Sequence, residues 1–226
     1  LHFSTMKEVI MKKLLFWIVL IVGTVALLGS CAKKDDDTTA ASTSVTSTTA
    51  SGSITVGSET LSGTYVSGCN TSGVAAAVSG GYFPSDVVAN RDVIVVEGND
   101  NVSEESHFYT DTSCSTLSVY LKNGQDNFTV GDQSGDYYKV TYQEKRFKIK
   151  ADTAVAEAYY ENHFSTNNIT NEGTAVNLVV GTEYSMGGSG SSYMNLFSVT
   201  STQVQKGEGS TSSQPTAMDS LEMAKQ

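Results

Sequence analysis

Hydrophobic and polar residues alternate through most of the chain beyond Ser53. Leu117, Val119 and Leu121 interleave with Ser118, Tyr120 and Lys122, and Tyr138, Val140 and Tyr142 with Lys139, Thr141 and Gln143. Phe147 and Ile149 alternate with Lys148 and Lys150; Val176, Leu178 and Val180 repeat the scheme, as do Phe197 and Val199. A period of two puts apolar side chains on one face of an extended chain and polar ones on the other, so each run predicts a half-buried strand. Asn123-Gly124, Ser134-Gly135-Asp136, Glu172-Gly173 and Gly187-Gly188-Ser189-Gly190 supply turn signals between the runs. One segment departs from the pattern. Residues 152–164 (DTAVAEAYYENHF) open with an Asp or Thr able to cap a helix, are rich in alanine, and space Val155, Ala158 and Tyr159 as one helical face. Short strands with a single helix predict a mostly β fold, an antiparallel barrel or sandwich.

The longest apolar run lies at the other end of the chain. Residues 14–28 (LLFWIVLIVGTVALL) carry no charge and follow Met11-Lys12-Lys13. They fall short of the roughly 20 residues of a membrane span. A basic start, an apolar centre and small residues form the pattern of a signal peptide, with a permanent anchor helix as the alternative. Leu28-Gly29-Ser30-Cys31 resembles the bacterial lipobox, an aliphatic residue three places before a cysteine with small residues between. That resemblance implies cleavage between Ser30 and Cys31, and acyl chains on the Cys31 sulfur and on the new amino group. Two or three chains anchor far more firmly than one. Ala32, where an aspartate would favour inner-membrane retention, points to the outer membrane, on its periplasmic or its surface face. Residues 1–10 are expected to be an upstream extension and residues 11–30 the signal peptide.

From Cys31 to Ser53 the chain is first charged (KKDDD), then Ser/Thr-rich, with eleven Ser or Thr among the sixteen residues 38–53. Such a segment buries too little apolar surface to offset the entropy of ordering it, so residues 31–53 are expected to be a disordered tether. Asp35-Asp36-Asp37 lacks the spaced ligands and tight turn of a calcium loop. The barrel or sandwich is expected over residues 54–206 and a flexible C-terminal tail over 207–226.

Net charge is -10. An acidic chain argues against nucleic acid as a partner, because phosphate binding needs clustered Lys and Arg. The basic cluster at residues 145–150 (KRFKIK) reads as a solvated strand face. Catalytic patterns are weak. No G-x-S-x-G occurs, and the glycines of GGSGSS precede a strand and not a helix, so they form no phosphate cradle. Glu104 and Glu105 are adjacent and would point to opposite faces of a strand. His107 has Asp111 and Glu104 as sequence neighbours, but strand spacing places it on an exposed polar face; His163 is expected to cap or pack at the helix end. No enzyme activity, cofactor or metal is expected. Cys69 and Cys114 remain as an even pair in an exported chain, for which a disulfide is favoured over a metal site or a nucleophile. Eleven tyrosines and eight phenylalanines fill a core or line an apolar pocket. Core is expected for most of them, with Tyr138, Val140, Tyr142, Phe147 and Ile149 as candidate pocket lining.

Residues 61–69 (LSGTYVSGC) resemble the L-x-G-x-W-V-S-x-C opening of the lipocalin-like domain in the Wnt-inhibiting APC-down-regulated glycoproteins and their bacterial lipoprotein relatives. Residues 107–116 (HFYTDTSCST) resemble that domain's F-x-Y-x-D-x-x-C segment. Gly63, Tyr65, Cys69, Tyr109, Asp111 and Cys114 carry the likeness. It implies an antiparallel lipocalin-like barrel of about eight strands, a Cys69–Cys114 disulfide, and a cavity for an acyl chain. Tyr65 stands where tryptophan is usual, and no counterpart appears for the arginine that packs over that tryptophan. The family's animal members carry two such domains and a membrane span, so Wnt inhibition does not transfer. The expected function is therefore that of a membrane-anchored lipoprotein, held by acylated Cys31, whose barrel binds a small hydrophobic ligand such as a lipid or fatty acid. The alternative is a non-catalytic surface or periplasmic module that binds protein or glycan.

Overall fold

The computed structural model describes residues 45–226; Ser30, Cys31 and the expected signal peptide lie outside the described residues. In chain order the elements begin with a hairpin, β1 (Ile54–Val56) and β2 (Glu59–Leu61), followed by β3 (Thr64–Ser67) and helix α1 (Val74–Ser79). Four long strands come next: β4 (Ala89–Val96), β5 (Val102–Tyr109), β6 (Leu117–Ser134) and β7 (Tyr137–Ala151). Helix α2 (Ala154–Thr166) precedes a small hairpin, β8 (Thr170–Asn171) and β9 (Thr174–Ala175). The chain ends with β10 (Glu183–Gly187), β11 (Ser192–Val199), β12 (Gln203–Gly207) and β13 (Met218–Lys225).

Eight of these strands close an antiparallel barrel in the order β3, β4, β5, β6, β7, β11, β12, β13, with β13 pairing back to β3. Strand β7 has two partners on one edge: β11 along residues 138–143, and β10 along residues 146–150. The switch falls at Lys145, the extra residue of a bulge opposite Gly124 and Gln125, and such bulges bend a strand and let a sheet close.

Inward-facing residues form two apolar layers. At one end the β1–β2 hairpin plugs the barrel, and Val56, Leu61 and Tyr65 pack with Ile94, Val140 and Phe197. At the other end the helices cover the opening, and Phe108, Phe147 and Ile149 pack with Val74, Tyr160 and Phe164. Among the described residues no helix is long and apolar enough to cross a membrane.

Several expectations change. Asn123-Gly124 is not a turn: Gly124 lies within β6 between Ser103 and Arg146, and a Cβ there would sit 2.7 Å from Arg146 Nε. Glycine is needed for that side chain's passage. Residues 176–180 form no strand: the Leu178 amide donates to Glu161 Oε1 at 2.9 Å, and Val176 and Leu178 pack into the helix-end layer. Val179 and Val180 are exposed, so the alternation there comes from an extended segment lying on α2, outside the sheet. Thr153 caps α2 by accepting from the Ala156 amide at 3.1 Å. The buried face is Ala156, Tyr160 and Phe164, one residue round from the expected one, and Val155 is exposed.

Both ends of the barrel domain also extend further than expected. Residues 218–225 are not a flexible tail but the strand that closes the barrel, with Met223 fully buried. The expected tether is a packed strap from Val45 onward. Val45 and Ala50 cover Val66, Val93 and Val95 on the barrel's outer face. Thr46 Oγ1 donates to Glu105 Oε1 at 2.9 Å, and the Ser51 amide donates to Val96 O at 2.8 Å. Burial of Val45 and Ala50 on these three valines, together with the hydrogen bonds, offsets the entropy of ordering a segment whose composition alone would leave it loose.

Candidate functional site

Between the two apolar layers the barrel interior turns polar. Strand β4 contributes Asp92, β5 Glu104 and Ser106, β6 Asn123 and Gln125, β7 Glu144, β11 Tyr193, β12 Lys206 and β13 Asp219. Each occupies an inward position that continues the apolar phase of its own strand: Asp92 precedes Ile94, Glu104 follows Val102, and Glu144 follows Val140 and Tyr142. Together they enclose a chamber of about 80 Å3. That is several times the ~10–15 Å3 that one water requires and well below the roughly 300–1,000 Å3 of pockets for drug-sized ligands. Gly207, Glu208 and Gly209 complete the lining at the end of β12. Glycine is required at this edge, since a Cβ on Gly209 would lie 2.8 Å from Tyr142 Oη, and one on Gly207 2.8 Å from Ala217 O.

The charges within are unequal. Lys206 Nζ lies 2.7 Å from Glu104 Oε2, with the two side chains 16% and 19% exposed. Burial alone would lower the Lys206 pKa, but Glu104, Asp92 and Asp219 around it raise it above the ordinary lysine value. Burial pushes Asp92 up, against the pull of Lys206 and of Ser106, whose hydroxyl donates to Asp92 Oδ1 at 2.9 Å. Glu144 is 5% exposed. Burial, with the Glu104 carboxylate nearby, brings it to about 7, although Ser189 Oγ donates to its Oε2 at 3.0 Å. Burial also lifts the Tyr142 and Tyr193 hydroxyls, helped by the charges of Glu104 and Glu144 respectively. The two tyrosine rings stack with centroids 5.6 Å apart. Two acceptors in this wall, Glu104 Oε1 and Gln125 Oε1, are buried with no hydrogen-bond donor.

The expected pocket residues do not meet around one void. Val140 and Tyr142 belong to the hairpin-end layer with Tyr138 packed against it, while Phe147 and Ile149 belong to the helix-end layer. Of the five, Tyr142 alone borders the chamber. Asp92, Glu104, Gln125, Glu144 and Lys206 are the chamber residues that the apolar pattern does not pick out. The signal for them is strand parity: each is polar at a position where the alternation calls for an apolar side chain, whereas Tyr193 continues the apolar phase.

Glu104 and Glu105 do point to opposite faces, Glu104 inward to Lys206 and Glu105 outward to His107. His107 is buried and not on an exposed polar face: its Nε2 lies 2.7 Å from Glu105 Oε2, and its ring stacks on Tyr120 at 5.6 Å. Its partner is therefore Glu105, not Asp111 or Glu104, because the strap covers this part of the outer wall. Burial would raise the Glu105 pKa, but hydrogen bonds from His107 and Thr48 lower it overall. Beside them, between the strap and the sheet, runs an outer cleft of about 690 Å3 lined by His107, Tyr109, Tyr120 and Lys150. The basic strand face pairs with acids: Arg146 with Glu97 and Asp126, Lys148 with Glu183, and Lys150 with Asp152. His163 stacks on Tyr159 at 6.3 Å, and its carbonyl accepts from the Asn167 amide at the end of α2.

The remaining motif residues serve the scaffold. Cys69 and Cys114 are bonded to each other, tying the end of β3 to the β5–β6 loop beside Tyr109. Asp111 organises that loop, accepting from the amides of Ser113 (2.9 Å), Ser115 (3.1 Å) and Thr116 (2.6 Å). The Ser113 hydroxyl and these amides hold its carboxyl well below the usual range. Gly63 adopts φ +87° at the turn into β3, a conformation that glycine takes without strain. Tyr65 is fully buried, and Lys225 Nζ sits 5.7 Å from its ring centroid. A cation over this ring therefore exists, supplied by a lysine on the last strand. Compared with known proteins, the chain matches no family model and no curated protein.

Proposed function

We propose that this protein is an exported lipoprotein, anchored in the outer membrane through acylated Cys31, whose barrel binds a small polar molecule in its central chamber. One observation carries the binding reading. Gln125 is 2% exposed and borders the chamber, yet its Oε1 has no donor. A buried amide acceptor left unpaired costs about 1–3 kcal/mol, which a bound donor would recover. An apolar ligand has less support. The apolar side chains fill two layers against one another, and about 80 Å3 of polar space is too little for an acyl chain. The anchor rests on the lipobox resemblance at residues 28–31.

A second reading, a module that binds protein or glycan, rests on the outer cleft of about 690 Å3. Native mass spectrometry of gently purified Cys31→Ser protein tests the choice, because any acyl mass then seen is a ligand and not the anchor. The expected spectrum contains no fatty-acid adduct, and a stoichiometric one would overturn the polar-chamber reading. Palmitate label should enter the wild-type protein and not the Cys31→Ser protein; label that survives the substitution would defeat the anchor.

A further inference from the structure

We infer that the ligand of the chamber is a small primary ammonium, held between the unpaired acceptors Gln125 Oε1 and Glu104 Oε1 and the carboxylate of Glu144. This rests on the reading that the chamber is a ligand site. Six acidic residues border it; Glu105 turns its carboxylate outward to His107, which leaves Asp92, Glu104, Glu144, Glu208 and Asp219 against one cation, Lys206. That lysine is already engaged by Glu104 Oε2, so the enclosed charge favours a cation. The orphaned atoms on Gln125 and Glu104 are both acceptors, so the ligand must bring hydrogen-bond donors. Among the described residues no three His, Cys, Asp or Glu side chains converge in the manner of metal ligands. An ammonium does not need such convergence, since its three N–H groups diverge and can reach separate acceptors.

The remaining walls suit the same group. The stacked rings of Tyr142 and Tyr193 present aromatic surface, which attracts cations. The chamber volume of about 80 Å3 admits a ligand of a few heavy atoms.

Binding should be linked to protons. Glu144 faces Gln125 from β6, Tyr193 from β11, Glu104 from β5 and Ser189 from the loop before β11, with Lys206 and Asp219 on the same chamber wall. No cation in this set contacts Glu144 directly, so an arriving ammonium would favour its ionised form. Since Glu144 titrates at about 7, binding at neutral pH would release part of a proton.

The test is calorimetric titration of the protein with ethylammonium chloride at pH 7, in two buffers of different ionisation enthalpy, with ethanol as the uncharged isostere. Saturable ethylammonium binding is expected, with ethanol weaker by about tenfold or more, the scale of a hydrogen bond to a charged group. The buffer dependence should reveal proton release, and Glu144→Gln should abolish it. Gln125→Met removes an unpartnered acceptor and keeps the volume, so it should melt no lower than wild type while weakening ethylammonium about tenfold. Ethanol binding as tightly as ethylammonium would overturn the ammonium assignment and leave the chamber reading standing. If neither probe binds, both fail. Unchanged ethylammonium affinity in both folded variants would place the ligand elsewhere and also overturn the inference.

Discussion

Replacing Glu144 with glutamine should stabilise the protein above neutral pH and leave it nearly unchanged in mild acid. In the folded chain this carboxyl titrates at about 7, against 4.5 for an ordinary glutamate. Between those values the folded state keeps a proton that the unfolded chain has released. Stability therefore falls as pH rises through this interval, and the loss is complete above about 7. At about 1.36 kcal/mol per pH unit, the loss amounts to about 3 kcal/mol. Glutamine matches the shape and still accepts from Ser189, but it has no charge to bury. At pH 5 the two proteins should unfold at similar urea concentrations, whereas at pH 8 the variant should be more stable by about 2–3 kcal/mol. For a domain of this size that corresponds to a melting temperature higher by roughly 4–12 °C. Urea unfolding followed by far-UV circular dichroism at pH 5, 6, 7 and 8 measures it. Parallel stability curves for the two proteins across that range would refute the reasoning, as would a variant that is less stable at pH 8.

Lys206→Met strands Glu104 beside Asp92 and Asp219, and should cost about 3 kcal/mol; adding Glu104→Gln should recover more than half, measured by the same urea series. Replacing Cys69 and Cys114 by serine opens a loop with a sequence separation of 45, and chemical unfolding should show a loss of about 4 kcal/mol in the chain-entropy account. On α2, Tyr160→Ala should cost about 3 kcal/mol and Val155→Ala less than about 0.5. Equal effects from those two variants in thermal melts would mean that the helix packs through its other face.

The period-two runs made the sheet legible, because strands half-buried in a barrel must alternate. They also carried the hairpin turns at Gly135 and Gly173, where both glycines take positive φ. Three features resisted. Gly124 reads as a turn because Asn-Gly commonly is one, and only the position of Arg146 across the strand explains it. Strand β13 was hidden because Met223 is its one fully buried apolar residue beside Asp219, Glu222 and Lys225. Its pairing with β3, more than 150 residues away, is not a local property of the chain. The chamber is hidden for a different reason. The apolar residues fill the two ends, and the space between them belongs to side chains that break the alternation. Strand parity at Asp92, Glu104, Gln125 and Glu144 held that information. Which of these breaks meet one another depends on the barrel's register, and the register is set only when the strands pair.

The most direct test of the account follows the side-chain amide of Gln125 by 1H–15N correlation spectroscopy while small polar probes and laurate are added in turn. Ethylammonium is predicted to shift the Gln125 and Asn123 side-chain signals in a saturable manner, with laurate leaving them in place. Laurate moving the signals of Val140, Phe147 and Ile149, while no polar probe moves Gln125, would contradict a polar binding chamber at the centre of this barrel.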